Sequence, residues 1–320
     1  MNKNSRIFIA GHNGLVGSAV YRNLLDKGYK KLFVVSRKKL DLKDTKKVDI
    51  YFKKKKIEYL IICAALAGGI LANGRYPVEF FNENINIQNS LLNAALKFKL
   101  KRTIFLGTSC IYPSTSKTPI NEDQLLNGKL HKSNQAYAIA KIAGIKLCEA
   151  LYKQYNLDIV ALMPTNVYGI NDKYSEKYSH VIPALILKFL KATKKNKKKV
   201  EIWGDGTPQR EFIFSDDLAE AINVILNTSK KKLFKLCGNT FPIINIGTGE
   251  IYSIKKLAKI IKDKINFKGK IFFNKKYPNG IMKKNIDISK IKKLSWRPKF
   301  NLNAGLDIVL KKTKFKNFYL

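Results

Sequence analysis

The apolar run Arg6-Ile7-Phe8-Ile9-Ala10 stops at Gly11-His12-Asn13-Gly14-Leu15-Val16-Gly17, and a helix-periodic segment to Leu25 follows at once. A strand, a glycine turn and a helix in direct succession constrain the fold more than anything else in the chain. The pattern then repeats. Strands are expected at 31–35, 59–63, 102–106 and 158–163, with helices at 45–54, 78–98 and 137–155 between them. Strands separated by helix-length segments imply a parallel sheet covered on both faces. After Pro164 the rhythm loosens into a loop to Ser179, a helix at 182–191 and a strand at 200–203. Phe212-Ile213-Phe214 reads as a strand, Ser215-Asp216-Asp217 as the capped start of a helix to Asn227, and 243–246 and 270–273 as further strands. The expected fold class is α/β, a Rossmann-type doubly wound parallel sheet with a smaller α/β substrate-binding lobe. Residues 1–166 plus 212–249 are assigned to the first and 167–211 plus 250–320 to the second.

The glycine turn has a chemistry of its own. Glycines let the backbone approach a pyrophosphate, which the free N–H groups and dipole of the following helix hold. The second strand leads into Ser36-Arg37-Lys38 rather than an acidic residue, which suits the 2′-phosphate of NADP(H) and points to Arg37. Tyr137 and Lys141 lie at i and i+4 on one helix face, so phenol and ammonium can converge, with the ammonium expected to lower the phenol's pKa. Gly107-Thr108-Ser109-Cys110 closes the fourth strand at the sheet end where such folds bind ligands.

The formal charge of +38 would ordinarily suggest nucleic acid or a membrane surface. The lysines, however, spread through nearly every polar stretch, and Asn and Ile are also abundant, as an AT-rich coding sequence would give. They are read as solvated faces, with no specific nucleic-acid partner and no membrane partner. The first residues lack the apolar run of a signal peptide, so a cytoplasmic protein is expected. The four cysteines have no metal-binding or disulfide spacing, so no metal site is expected.

Gly11 to Gly17, Thr108 to Pro113, Tyr137 to Lys141 and Met163 to Gly169 together resemble the extended short-chain dehydrogenase/reductase family of nucleotide-sugar enzymes. The strings GGILAN (68–73), SCIYP (109–113), AYAIAKIAGIKLCE (136–149), SHVIPAL (179–185), WGDGTPQREF (203–212) and NIGTG (245–249) extend the likeness along nearly the whole chain. The resemblance is to the branch acting on GDP-linked 4-keto-6-deoxy sugars. It implies NADP(H)-dependent 3,5-epimerisation and 4-keto reduction by a homodimer. Thr108, Tyr137 and Lys141 would be the catalytic triad, with Cys110 and His180 as acid and base at C3 and C5. The cofactor would meet Gly11 to Gly17, Arg37, Leu106, Gly107, Thr108, Ser109, Lys141, Pro164, Thr165, Asn166, Val167 and His180. Lys188, Trp203, Arg210 and Asn279 would hold the substrate. Two departures stand out: Pro278-Asn279-Gly280 has an amide where the family has an aspartate, and Asn13 stands where some relatives carry an arginine. A plain 4-reductase, or an epimerase of another nucleotide sugar, stays open on the residues alone. A non-catalytic basic NADP- or nucleic-acid-binding protein is the reading that the triad opposes. Cys110 and His180, each taken alone, are also compatible with ordinary packing.

Overall fold

Apolar residues fill both faces of the central strands, and that burial sets the architecture. The computed structural model describes residues 1–277, 279–313 and 315. The chain opens with β1 (Ile7–Ala10), α1 (Leu15–Asp26), β2 (Leu32–Phe33), α2 (Thr45–Lys55), β3 (Tyr59–Ile62), α3 (Ile70–Arg75), α4 (Pro77–Lys97) and β4 (Arg102–Leu106). Then come α5 (Gln135–Tyr155), β5 (Ile159–Pro164), β6 (Asn166–Tyr168), α6 (Val181–Lys194), β7 (Lys199–Trp203), β8 (Gln209–Phe214), α7 (Ser215–Asn227) and α8 (Lys230–Leu236). It ends with β9 (Ile243–Ile246), β10 (Ile251–Ser253), α9 (Ile254–Lys264), β11 (Lys270–Asn274), β12 (Lys283–Lys284), α10 (Ser289–Lys292) and α11 (Leu302–Lys312).

The large sheet is parallel throughout, in the order β2-β1-β3-β4-β5-β9. Every residue of β1, β4 and β5 is buried, as expected of strands packed between two helical layers. From β1 the chain turns to β2 on one side and returns to β3 on the other, so a crevice opens over the carboxyl ends of β1 and β3. The expected Rossmann-type class is therefore observed. A second sheet is built around β8, which pairs antiparallel with β10 and parallel with β12 and β6. A third, of two strands, joins β11 to β7 in parallel.

β8 divides its side chains between two cores. Ile213 belongs to the larger one, while Phe212 and Phe214 join Tyr168, Phe189, Leu257 and Leu306 in the smaller. Polar groups bolt the same seam. Asp217 on α7 is buried and accepts Lys299 N at 2.8 Å and Phe300 N at 3.1 Å. Within the larger core, Arg102 is also buried, pairs with Asp158 at 2.7 Å and donates to the carbonyls of Ile225, Leu226 and Thr228 at the end of α7. That satisfies a helix terminus which would otherwise hold bare carbonyls.

Several sequence expectations need correction. Ser215 does not cap α7: it lies inside the helix with its hydroxyl on Asp216, and Asp217 faces the second core instead. β2 has two residues rather than five, because it is an edge strand with half-buried side chains. The loop after Pro164 contains β6, and α3 and α8 were not anticipated. Among the described residues no helix is long and apolar enough to cross a membrane.

Candidate active site

The glycine turn leaves β1 through Gly11, at φ +86°, where an added Cβ would lie 2.7 Å from Ala64 N at the end of β3. A Cβ on Gly17 would lie 2.2 Å from Gly11 O, so α1 can seat against the turn only with glycine there. Gly14 N-caps α1 without any side-chain cap bond. The first N–H groups of a twelve-residue helix thus face the crevice, an arrangement that accepts a phosphate. His12, Leu15 and Val16 are half-buried, while Asn13 is exposed. A dinucleotide fits this cradle. Arg37 lies past β2 with its guanidinium largely exposed and 3.2 Å from Glu83 on α4, which keeps a cation at the rim of the crevice.

At the neighbouring strand end, Leu106 accepts a hydrogen bond from Lys141 Nζ at 2.8 Å. Lys141 is buried, 5.0 Å from the Phe105 ring, and burial pulls its pKa down to about 8. After Gly107, the Thr108 hydroxyl accepts Cys110 N at 3.2 Å and caps a single 3-10 turn, Ser109–Ile111. That cap holds Cys110 at a fixed offset from Thr108. Tyr137, one turn before Lys141, has Phe80 edge-on at 6.1 Å. Burial, and after it negative charge on Cys110, pushes the Tyr137 phenol up. The expectation that Lys141 lowers it is not met, because that ammonium is directed to the Leu106 carbonyl. Negative charge on Cys110 also favours the cationic form of Arg210, which burial otherwise disfavours. Cys110 therefore sits within electrostatic reach of both Tyr137 from α5 and Arg210 from β8.

His180 is the residue before α6, at φ −72° and ψ 175°. Water reaches it; burial and then Lys173 lower its pKa. The glycine pair at 68–69 brings this loop toward Tyr137. Gly69 N donates to Tyr178 O at 3.0 Å, and a Cβ on Gly69 would fall 2.3 Å from Ser179 O. A Cβ on Gly68 would touch both Phe80 and Tyr178 at about the same distance, 3.2 and 3.3 Å. Phe80 thus packs between the Tyr137 ring and the segment leading to His180.

Pro164 ends β5, and the next two residues turn onto β8: Thr165 Oγ1 and Asn166 Nδ2 both donate to Glu211 O, at 3.1 and 2.8 Å. Val167 follows within β6. On the smaller lobe, Lys188 Nζ donates to Glu201 O at 3.0 Å and stands 5.1 Å from the half-exposed Trp203 ring. Arg210 donates to the Gln209 and Ile281 carbonyls, leaving its other nitrogen against Gly280. Asn279 Oδ1 is taken by Asp205 N at 3.1 Å. Lys188 on α6 and Arg210 on β8 are cations, the charge that a diphosphate requires.

Three residues that sequence reasoning missed support this site. Phe80 backs Tyr137. His131 lies near enough to Arg210 and Lys284 for both to lower its pKa, after burial does so first. Glu211, wholly buried, accepts Thr248 N at 2.7 Å, Gly249 N at 2.9 Å and Ile286 N at 2.9 Å, tying β8 to the NIGTG loop and to the segment that follows β12. Gly247 packs against it, since any Cβ there would strike the Glu211 carboxylate at 2.1 Å.

A glycine turn between strand and helix and a Tyr-x-x-x-Lys helix over one parallel sheet are the features of a dinucleotide-dependent class of enzyme. Residues 7–247 match the model of the NAD dependent epimerase/dehydratase family, and the chain belongs to that family. Within it, the chain is 41% identical to the GDP-L-fucose synthase of Escherichia coli (strain K12), with 94% of each protein covered. The crystal structure of a GDP-6-OMe-4-keto-L-xylo-heptose reductase from C. jejuni superposes with a TM-score of 0.91 at 34% identity, over 99% of both chains. A GDP-mannoheptose C4 reductase from Campylobacter jejuni with NADP bound gives 0.86 at 37%, covering 97% of this chain and 98% of that one.

Proposed function

We propose that this chain binds NADP(H) at the glycine turn and converts GDP-4-keto-6-deoxy-D-mannose into GDP-L-fucose, as a cytoplasmic homodimer paired through α4 and α5. The observation that carries the reading is that Cys110 lies within electrostatic reach of Tyr137, one helical turn before the buried Lys141. Thr108, Tyr137 and Lys141 suit hydride transfer, while Cys110 and His180 suit proton transfer at carbon. The identity to the E. coli protein supports the substrate, and the NADP-bound C. jejuni neighbour supports the cofactor. Exposed Val78 on α4 and Ile139 on α5 support the pairing.

In this reading Lys188 and Arg210 hold the diphosphate and Trp203 the nucleoside. The 4-keto group acidifies the C3 and C5 protons. His180, whose lowered pKa keeps it neutral near pH 7, takes one proton, and Cys110 exchanges the other. Tyr137 and Thr108 stabilise the enolate at O4. NADPH, when bound, supplies a hydride to C4. Tyr137 gives O4 its proton, and burial keeps the phenol in that donor form. Arg37 meets the 2′-phosphate.

Simple 4-reduction is the second reading, favoured by the two C. jejuni neighbours, both named as reductases. Incubation with the 4-keto sugar in deuterated water without NADPH separates the two. Deuterium should enter at C3 and C5, and Cys110→Ser should suppress its entry. If the unmutated protein leaves the sugar unlabelled by mass spectrometry, the 4-reductase reading replaces the epimerase.

A further inference from the structure

β7 and β11 run parallel in register, with Trp203 opposite Asn274, so the segments leaving both strands stay side by side. Trp203 stacks on Tyr277 at 4.5 Å between centroids and 19° between planes, and each residue is 42% exposed. This is a flat aromatic surface open to solvent, of the kind on which a base stacks. Two residues beyond each aromatic, Asp205 and Asn279 meet through the bond from Asp205 N to Asn279 Oδ1. The turn that carries Asp205 has little freedom. Gly204 and Gly206 lie at φ +80° and +81°, and a Cβ on either would come within 2.5 Å of Asn279 Oδ1 or the Phe273 ring, respectively. In that fixed shape Asp205 Oδ1 accepts Thr207 N at 2.9 Å and Thr207 Oγ1 at 2.6 Å. These bonds, with the Asn279 side chain, hold the carboxyl down at about 2, fully ionised at neutral pH.

A polar edge beside a stacking surface selects a base by matching donors to acceptors. Asn279 Oδ1 accepts the Asp205 N–H and the Asn279 amide also bonds the Asp205 carboxyl, so the pair turns no free amide donor to the surface and what it can still offer is the carboxylate's remaining acceptor capacity. Asp205 spends one oxygen on Thr207. A carboxylate has about four lone-pair sites, so it keeps acceptor capacity, chiefly on the other oxygen. Guanine places two donors side by side, N1–H and the 2-amino group. Adenine and cytosine place a ring acceptor there, and uracil a single donor between two carbonyls.

We propose that Asp205 is the residue that selects guanine in the nucleotide half of the substrate, accepting from the 2-amino edge of a base stacked on the Trp203–Tyr277 surface. The proposal rests on the reading of the substrate as a GDP-linked sugar. It assigns to Asp205 the acceptor role that the resemblance implied for position 279.

Calorimetric titration of the full-length protein saturated with NADP+ tests it, using GDP, IDP, which differs from GDP only in lacking the 2-amino group, and ADP. The unmutated protein should bind GDP about tenfold tighter than IDP, and ADP more weakly again, since a site built for an N–H donor rejects an analogue lacking it. Asp205→Asn should bring the GDP-to-IDP ratio to within roughly twofold, because the amide can present a donor where the carboxylate only accepts. Asp205→Ser, which keeps a turn-compatible side chain, is read in the same way and covers failure of the first variant to fold. A purely structural role would weaken both nucleotides together and leave their ratio unchanged. If the unmutated protein prefers GDP and the variants keep that preference, the role of Asp205 is overturned while the substrate reading stands. If the unmutated protein binds the three nucleotides alike, the GDP reading falls and the inference falls with it.

Discussion

Lys141 shows how one residue links the fold to the chemistry. Its ammonium is buried with a single carbonyl acceptor and an aromatic face, and its pKa of about 8 lies below the ordinary 10.5. Folding therefore disfavours the charged form. Between about pH 8 and 10.5 the unfolded chain binds the extra proton, so stability rises with pH across that window. The difference corresponds to about 3 kcal/mol. Lys141→Met should thus be more stable than the unmutated protein at pH 7.5, and the advantage should shrink as pH approaches 10.5. Thermal unfolding of both proteins across that range checks this; a gap that does not change with pH would show that the lysine is not under strain in the fold. The spacing of Tyr137 and Lys141 was legible because a helix puts i and i+4 on one face. The partner of Lys141 was not, since Leu106 lies 35 positions away and is reached only once β4 and α5 pack. Glu211 escaped for the same reason, its partners lying at 248, 249 and 286.

Among the elements, those with a strong local pattern were the readable ones. The opening strand, turn and helix, and the apolar runs of β4, β5 and β9, carry their own period and punctuation. β6, β10 and β12 have two or three residues each and exist only because β8 lies between them. No periodicity can reveal a strand so short. α3 is six residues long and held from outside, Asn73 Nδ2 bonding the Gly68 and Gly69 carbonyls at 2.8 and 3.1 Å. Its role in the candidate site follows from Gly69, whose φ of −68° any residue could adopt but whose space no side chain can share with Ser179 O. Gly69→Ala must push the 178–180 segment away, and His180 moves with it. A displacement near 1 Å costs about a hundredfold in a reaction that depends on proton-transfer geometry. The variant should lose roughly that factor in C3 and C5 exchange while circular dichroism stays native. Exchange at an undiminished rate would detach the 178–180 segment from the chemistry.

At the scale of the whole molecule, the charge needs a physical account. With 61 lysines and arginines against 23 acidic residues, most cations have no carboxylate to meet. Apart from the buried Arg102–Asp158 pair, pairs such as Lys97 with Asp49 and Lys191 with Glu176 lie toward the surface, where each contributes at most about 1 kcal/mol. One lysine cluster lies at the edge of β7 and β11, where Lys197, Lys198 and Lys199 line a hollow together with Lys268 and Lys270. These side chains are exposed, and the hollow lies on a lysine-rich edge apart from the residues grouped around Tyr137. Such a cluster attracts any polyanion at low ionic strength. What it lacks is the planar donor fork of arginine, with which base edges and phosphates are read bidentately. The attraction should therefore be purely electrostatic and vanish as salt screens it, since counterion release is then the whole driving force. Fluorescence anisotropy with a labelled DNA duplex should show binding at about 20 mM salt, a steep log-log loss of affinity, and none measurable near 150 mM, where the Debye length has fallen to about 8 Å. Two duplexes of unrelated sequence should give the same curve. Binding that persists at physiological salt and favours one sequence would mean that the lysines form a recognition surface and are not simply solvated side chains.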